Sequence, residues 1–177
     1  MNYNYDFEIA SMVVMMIVLL HFLFVRQFPT DKTKTFFRLL LICIGECIFN
    51  ILSCIGIANA ALIPEVWNEL FAFAFFALEG LCSYYIFRYV AVICQFRKRG
   101  NFLLKAAGIL PFAFFEAMVL LTPLIGFFYY FEDGQYHQGF GAWYGYAYIT
   151  YYFLLNLALV LIRRKVVSVR VKIIIFI

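Results

Sequence analysis

The run formed by residues 68–94 is almost wholly apolar and carries one carboxylate near its centre, Glu79, followed by Gly80. A run of this length predicts a helix that crosses a bilayer, because the hydrocarbon core needs about 20 helical residues. An ionised carboxylate at the centre of such a helix costs about 2.5–3.5 kcal/mol on insertion scales. We therefore expect a transmembrane helix whose central acid is hidden from lipid.

The composition extends this conclusion to the whole chain. Hydrophobic residues make up 66% of the sequence and charged residues 14%, and the mean hydropathy is +0.92. A soluble domain could not cover so much apolar surface. The apolar runs are long and continuous, which excludes a transmembrane β-barrel of short alternating strands. The fold class predicted is therefore all-α and integral to the membrane.

The chain is predicted to form one transmembrane domain over residues 1–177, with no soluble domain. A last apolar run, Ile173 to Ile177, is too short to cross a bilayer. We expect it to belong to a sixth span that starts at about residue 171 and is followed by a seventh in the intact protein. The five complete spans predicted are residues 9–25, 36–57, 68–94, 102–128 and 143–162.

Basic and acidic residues alternate between the loops. Acidic residues without Lys or Arg occupy the N-terminal tail and the loops after spans two and four. By the positive-inside rule, this pattern places the N-terminus outside and the loops after spans one, three and five in the cytoplasm. The basic residues that cluster in those three loops are Arg26, Lys32, Lys34, Arg38, Arg97, Lys98, Arg99, Lys105, Arg163, Arg164, Lys165, Arg170 and Lys172.

Three central carboxylates, Glu46, Glu79 and Glu116, are the main candidates for a functional site. The helical register predicts similar depths for them, so we expect at least two to point into the bundle near Asn50 and Ser83. One interpretation is an intramembrane pocket for a ligand or a proton. The other is interhelical hydrogen bonding that only fixes the packing.

All five cysteines fall inside apolar runs, which argues against an extracytoplasmic disulfide framework. Cys43, Cys47 and Cys54 share a face of span two with Glu46. A metal site there would need ligands from other helices, so none is predicted, and we expect the thiols to behave as small hydrophobic groups.

The loop between spans four and five is the longest outer loop. Asp133-Gly134 is typical of a type I′ turn, and it predicts a small hairpin at the membrane face. Three residues after this turn, Tyr136, His137 and Gly139, are candidates for an extracellular contact surface.

Signatures of soluble enzymes do not occur in the sequence, which has no GxxxxGK[ST], GxGxxG, HExxH or GxSxG motif. The two histidines, His21 and His137, are predicted to lie on opposite sides of the membrane. No catalytic residue, metal or cofactor is therefore predicted, and the chain is not expected to be an enzyme.

Several short segments spread over the chain resemble the membrane regions that precede GGDEF domains in diguanylate cyclases of clostridial bacteria. Asn50 stands where that pattern has an aspartate. Similar seven-helix regions also precede some bacterial histidine kinases. The segments that carry the resemblance are Asn4-Tyr5-Asp6-Phe7-Glu8-Ile9, Phe49-Asn50-Ile51-Leu52-Ser53, Trp67-Asn68, Phe131 and Tyr136-His137-Gln138-Gly139.

The resemblance implies a sensory input region in the bacterial cytoplasmic membrane, whose cytoplasmic output domain would make cyclic di-GMP from GTP. The Gly-Gly-Asp-Glu-Phe motif itself does not occur in this chain. The alternatives are a small transporter or proton-coupled carrier that uses the buried glutamates, and a purely structural membrane protein. The expected partners are the lipid bilayer, an unidentified small-molecule ligand and, as one option, a second copy of the chain; no nucleic acid is expected.

Overall fold

Five long helices make up nearly all of the computed structural model, which describes residues 6–24, 30–60, 62–96, 102–132 and 135–162. Each helix is long and apolar enough to cross a membrane. This confirms the prediction of an all-α protein with five candidate spans. The predicted sixth span and the Asp133-Gly134 turn lie outside the described residues. The helices are α1 (Asp6–Phe24), α2 (Asp31–Ala58), α3 (Glu65–Ile93), α4 (Phe102–Ile125) and α5 (Gly141–Ile162).

Helix α3 occupies the centre of the fold. It packs against α2, α4 and α5, whereas α1 packs against α2. Helix α1 has no buried residues, and many large apolar side chains on the other helices are exposed. In a membrane, lipid would cover this surface, because lipid tails are as apolar as the side chains themselves.

Four helices begin earlier than the sequence predicted; α3 starts at Glu65 and not at residue 68, and α5 at Gly141 and not at residue 143. Helix α1 starts at Asp6, so Glu8 lies in its first turn and not in a free tail. Helix α2 starts at Asp31, because the Thr30 hydroxyl caps it by accepting a hydrogen bond from the Thr33 amide at 3.2 Å. Polar first turns extend α1 and α2 beyond their apolar runs, which were the only signal for the predicted bounds.

Helix α4 ends at Ile125 and not at residue 128. The next residue, Gly126, has a φ of +63°, a conformation that glycine adopts without strain. Its amide closes the helix by donating to the Thr122 carbonyl at 2.8 Å. Pro111 and Pro123 both lie inside α4, as the sequence indicated.

The predicted hairpin is present between α4 and α5. Strands β1 (Tyr129–Glu132) and β2 (Gln135–Gln138) pair antiparallel, with Tyr130 opposite His137. Tyr129 is 2% exposed and donates a hydrogen bond to the Glu69 carbonyl of α3 at 3.1 Å. Burial raises the pKa of the Tyr129 phenol above its usual value, so the hydroxyl keeps its proton and remains a donor. The hairpin is thus fixed to the N-terminal half of α3.

Candidate site between the central helices

Helices α2 and α3 carry the same short motif in opposite directions. Residues 43–46 of α2 read Cys-Ile-Gly-Glu, and residues 79–82 of α3 read Glu-Gly-Leu-Cys. The two helices are consecutive and antiparallel, so a contact between the cysteines brings the rest of the two motifs into register. Cys43 is then paired in depth with Cys82, and Glu46 with Glu79.

The cysteine contact is present. The Cys43 and Cys82 Sγ atoms lie 3.2 Å apart, and both are free thiols. The Glu46 carboxylate joins them, and one ligand atom from each of the three residues lies within 4.8 Å of the others. Glu46 and Glu79 also interact electrostatically across the helix pair. Two thiols and one carboxyl group therefore meet in the middle of the predicted membrane thickness, and the mirrored motif places Glu79 at the same depth.

A second glutamate, Glu116 of α4, also lies close to α3. A methyl group added at Gly80 would lie 2.5 Å from Glu116 Oε1 and 2.7 Å from the Phe115 ring, so α4 approaches α3 closely at this glycine. Glu116 Oε1 is buried and has no hydrogen-bond partner among the described residues. An unpaired buried oxygen is costly, and protein structures seldom contain one without a reason.

Helix α5 contributes two tyrosines that donate hydrogen bonds to backbone carbonyls of α3 and α4. Tyr148 is buried and donates to the Gly80 carbonyl at 2.9 Å, and its ring stacks on Phe115 with centroids 4.2 Å apart. Tyr152 donates to the Gly108 carbonyl of α4. Residues of four helices thus lie at the depth of Gly80, with α4 and α5 in contact with Gly80 and α2 in contact with Cys82. We call this set the polar layer: Cys43 and Glu46 of α2, Glu79, Gly80 and Cys82 of α3, Glu116 of α4 and Tyr148 of α5.

Asn50 and Ser83, which the sequence predicted to lie beside the central glutamates, are not members of the polar layer. Asn50 donates to Glu8 Oε1 of α1 at 3.1 Å, so its partner is the acid that the sequence had assigned to the N-terminal tail. The Cys54 thiol contacts the Asn50 side-chain oxygen at 3.8 Å. Ser83 is buried on α3, directly after Cys82. Asn50 therefore joins α1 to α2, one helical turn after Glu46 along α2.

The candidate residues of the outer loop lie on the hairpin and are separate from the polar layer. The His137 ring stacks on Tyr130 with centroids 5.2 Å apart, and the Tyr136 ring stacks on Tyr129 at 6.3 Å. The Gly139 amide donates to the Phe128 carbonyl at 2.8 Å, and a Cβ at this position would clash with the Phe127 backbone. Gly139 is thus required for close backbone packing.

A cavity of about 290 Å³ lies between α3 and the start of α4. The Arg88 guanidinium lies over the Tyr84 and Tyr85 rings, 5.8 and 5.3 Å from their centroids. Lys105 also lines the cavity, so one end of it is basic. The charge pattern of the loops predicts that this end faces the cytoplasm.

Sequence reasoning missed the roles of Cys82, Tyr148 and Glu8. Cys82 was taken as a small hydrophobic group, although the mirrored spacing of cysteine, glycine and glutamate in spans two and three could have revealed it. Tyr148 was not among the predicted site residues, and no signal in the sequence indicates its contact with Gly80.

The fold and the polar layer together define a helical, multi-pass type of membrane protein with a polar centre. No family model, no curated protein and no solved structure matches the chain.

Proposed function

We propose that this chain is the membrane-embedded sensory input region of a bacterial signalling protein. The observation that carries the proposal is the polar layer, in which residues of four helices lie at the depth of Gly80. The resemblance to regions that precede GGDEF domains supports the same function. The cytoplasmic output of such a protein would be a diguanylate cyclase domain.

The polar layer is suited to receiving a signal because its members are costly to bury and incompletely paired. A ligand, ion or proton that engages Glu46, Glu79 or Glu116 changes the hydrogen bonds that hold α2, α4 and α5 against α3. Tightly packed helices move between discrete arrangements, with shifts of about 1–2 Å in known switches. Such a shift in α3 would reach its cytoplasmic end, where Arg88 and the basic cavity lie.

A small proton-coupled carrier is the second candidate, because the same carboxylates could bind a proton. Transporters commonly have repeated halves with matched helix breaks. Among the described helices, prolines occur only within α4. This asymmetry favours the sensory input region.

The orientation in the proposed function has the N-terminus outside the cytoplasmic membrane, and labelling of engineered thiols will test it. We expect Gln135→Cys, on the exposed hairpin, to react with a membrane-impermeant maleimide in intact cells. Lys32→Cys, in the first turn of α2, should react only after lysis. The unaltered chain supplies the background, because four of its cysteines lie within helices and Cys94 is buried at the end of α3. The reverse pattern of labelling would contradict the orientation.

The signalling role predicts different effects of glutamine and leucine in the polar layer. The DNA after codon 177 is expected to encode a cytoplasmic GGDEF domain, and the full-length protein allows the test. Glu116→Gln keeps hydrogen bonding and should leave cyclic di-GMP synthesis close to that of the unaltered protein. Glu116→Leu removes the capacity of this side chain to form a hydrogen bond with a bound signal. A hydrogen bond within the membrane, of about 0.6–1.7 kcal/mol, corresponds to a change of about 3- to 18-fold in a two-state population.

Glu132→Leu, on the exposed hairpin strand, is the matched control and should not change the output. The same comparison applies to Glu46 and Glu79. Equal output from the Gln and Leu variants at all three positions would exclude a signalling role for the polar layer. Proton uptake by liposomes containing the chain, lost in Glu79→Gln, would instead establish the carrier.

A further inference from the structure

We propose that Cys43, Glu46 and Cys82 form a binding site for a divalent transition-metal ion of the zinc type, with Glu79 as the fourth ligand. The site rests on the geometry of the helix pair and does not depend on the proposed function. Cys43 and Glu46 are one helical turn apart on α2, and Glu79 and Cys82 are one turn apart on α3. Each helix therefore offers one sulfur and one carboxylate from the same face.

The distances suit a tetrahedral ion. With metal–sulfur bonds of about 2.3 Å, two sulfurs of a tetrahedral site lie about 3.8 Å apart. The Cys43 and Cys82 sulfurs are 3.2 Å apart, so they need to separate by only about 0.6 Å. The Glu46 carboxylate is already within 4.8 Å of both sulfurs. The mirrored motif places Glu79 at the depth of Glu46 on the opposite helix.

The ligand types select the ion. Sulfur ligands disfavour Mg²⁺ and Ca²⁺, which take oxygen ligands. Purely thiolate or thioether sites favour Cu(I), whereas mixed sulfur and oxygen ligands suit the borderline ion Zn²⁺. Helix α2 has no Lys or Arg after Arg38 and helix α3 has none before Arg88, so no cation of these two helices lies at the depth of the two carboxylates.

The two thiolates can neutralise the charge of the metal ion inside a membrane. When M²⁺ binds, each thiol forms one sulfur–metal bond and releases one proton to water. Two thiols and one M²⁺ therefore give a neutral bis-thiolate centre and two protons. Each glutamate that binds as a carboxylate releases one further proton and adds one negative charge to the centre, which is costly in lipid. Metal binding should thus weaken as the pH falls, because protons compete for the sulfurs.

Cobalt(II) is the probe for the test, because thiolate ligation gives it an intense charge-transfer absorption. The reduced chain in nanodiscs is titrated with Co²⁺ in the absence of oxygen. We expect this absorption to saturate at one ion per chain and to disappear when Zn²⁺ is added. Cys43→Ser and Cys82→Ser should each weaken binding by at least about 10- to 100-fold, the range known for loss of outer-shell partners.

Cys47→Ser and Cys54→Ser are the matched controls, because both cysteines lie on α2 and neither belongs to the cluster. They should bind Co²⁺ as the unaltered chain does. Glu79→Gln should weaken binding without removing the sulfur absorption. Alkylation of the unaltered chain gives a second readout that does not depend on variants, because Zn²⁺ should protect Cys43 and Cys82 and leave Cys47 and Cys54 reactive. Absence of the charge-transfer absorption, or equal protection of all four thiols, would overturn the proposal.

Discussion

Replacing Gly80 with alanine will destabilise the protein relative to the same replacement at Gly145. The added methyl group would lie 2.5 Å from Glu116 Oε1 and 2.7 and 2.9 Å from two atoms of the Phe115 ring. The glutamate can move aside, but Phe115 is fully buried and is held by stacked rings. Overpacking of this kind costs about 1–3 kcal/mol. We therefore expect α4 to separate from α3 at the polar layer.

Gly145→Ala is the control, because the nearest side-chain atom to its Cβ is Phe128 Cε1 at 4.0 Å. Both glycines are in helices, so the gain in helix propensity is similar and cancels in the comparison. Reversible unfolding in sodium dodecyl sulfate gives the free energy of each variant. If Gly80→Ala were as stable as Gly145→Ala, the close approach of α3 and α4 would be wrong.

The number and type of the helices could be predicted from the sequence because the signal is local. An apolar run of about 20 residues leaves few alternatives in a chain of this composition. The first turns of α1 and α2 could not be placed, because Asp6, Glu8 and Asp31 are polar and lie beyond the apolar runs. As a result, the contact between Glu8 and Asn50 was also missed.

The polar layer was predicted only in part, for a different physical reason. The cost of a charge in lipid identifies Glu46, Glu79 and Glu116 from the sequence alone, since each lies at the middle of a span. The relative rotation of two helices is set by side-chain packing between them, and no local pattern in the sequence reports it. The pairing of Cys43 with Cys82 therefore became visible only in the structure, although their mirrored motifs are consistent with it.

The acids and the aromatic core beside them do not stabilise the fold in the same way. Glu116 contributes hydrogen-bonding capacity that can be changed by a ligand or an ion. Phe115, its neighbour on α4, is 0% exposed and contacts the rings of Phe128, Tyr144 and Tyr148. These four rings, which we call the aromatic wall, pack beside the polar layer. They should contribute most of the packing energy at this depth.

Phe115→Ala will therefore cause a large loss of stability, and the size of the loss can be reasoned from the membrane setting. Lipid is as apolar as the protein interior, so the transfer contribution that operates in water is nearly absent. The cavity contribution remains, at about 24 cal/mol per Å³; an empty volume of roughly 100 Å³ gives about 2 kcal/mol. Unfolding of the variant in sodium dodecyl sulfate measures this difference.

Phe114→Ala removes the same atoms from the adjacent residue of α4, whose side chain is 57% exposed. Lipid can fill the space left there, so we expect a much smaller loss than for Phe115→Ala. The two variants have the same composition and helix propensity, and only the surroundings of the removed ring differ. Equal losses at the two positions would mean that Phe115 is not enclosed by Phe128 and the tyrosines of α5, and the packing of the aromatic wall beside Glu116 would be wrong.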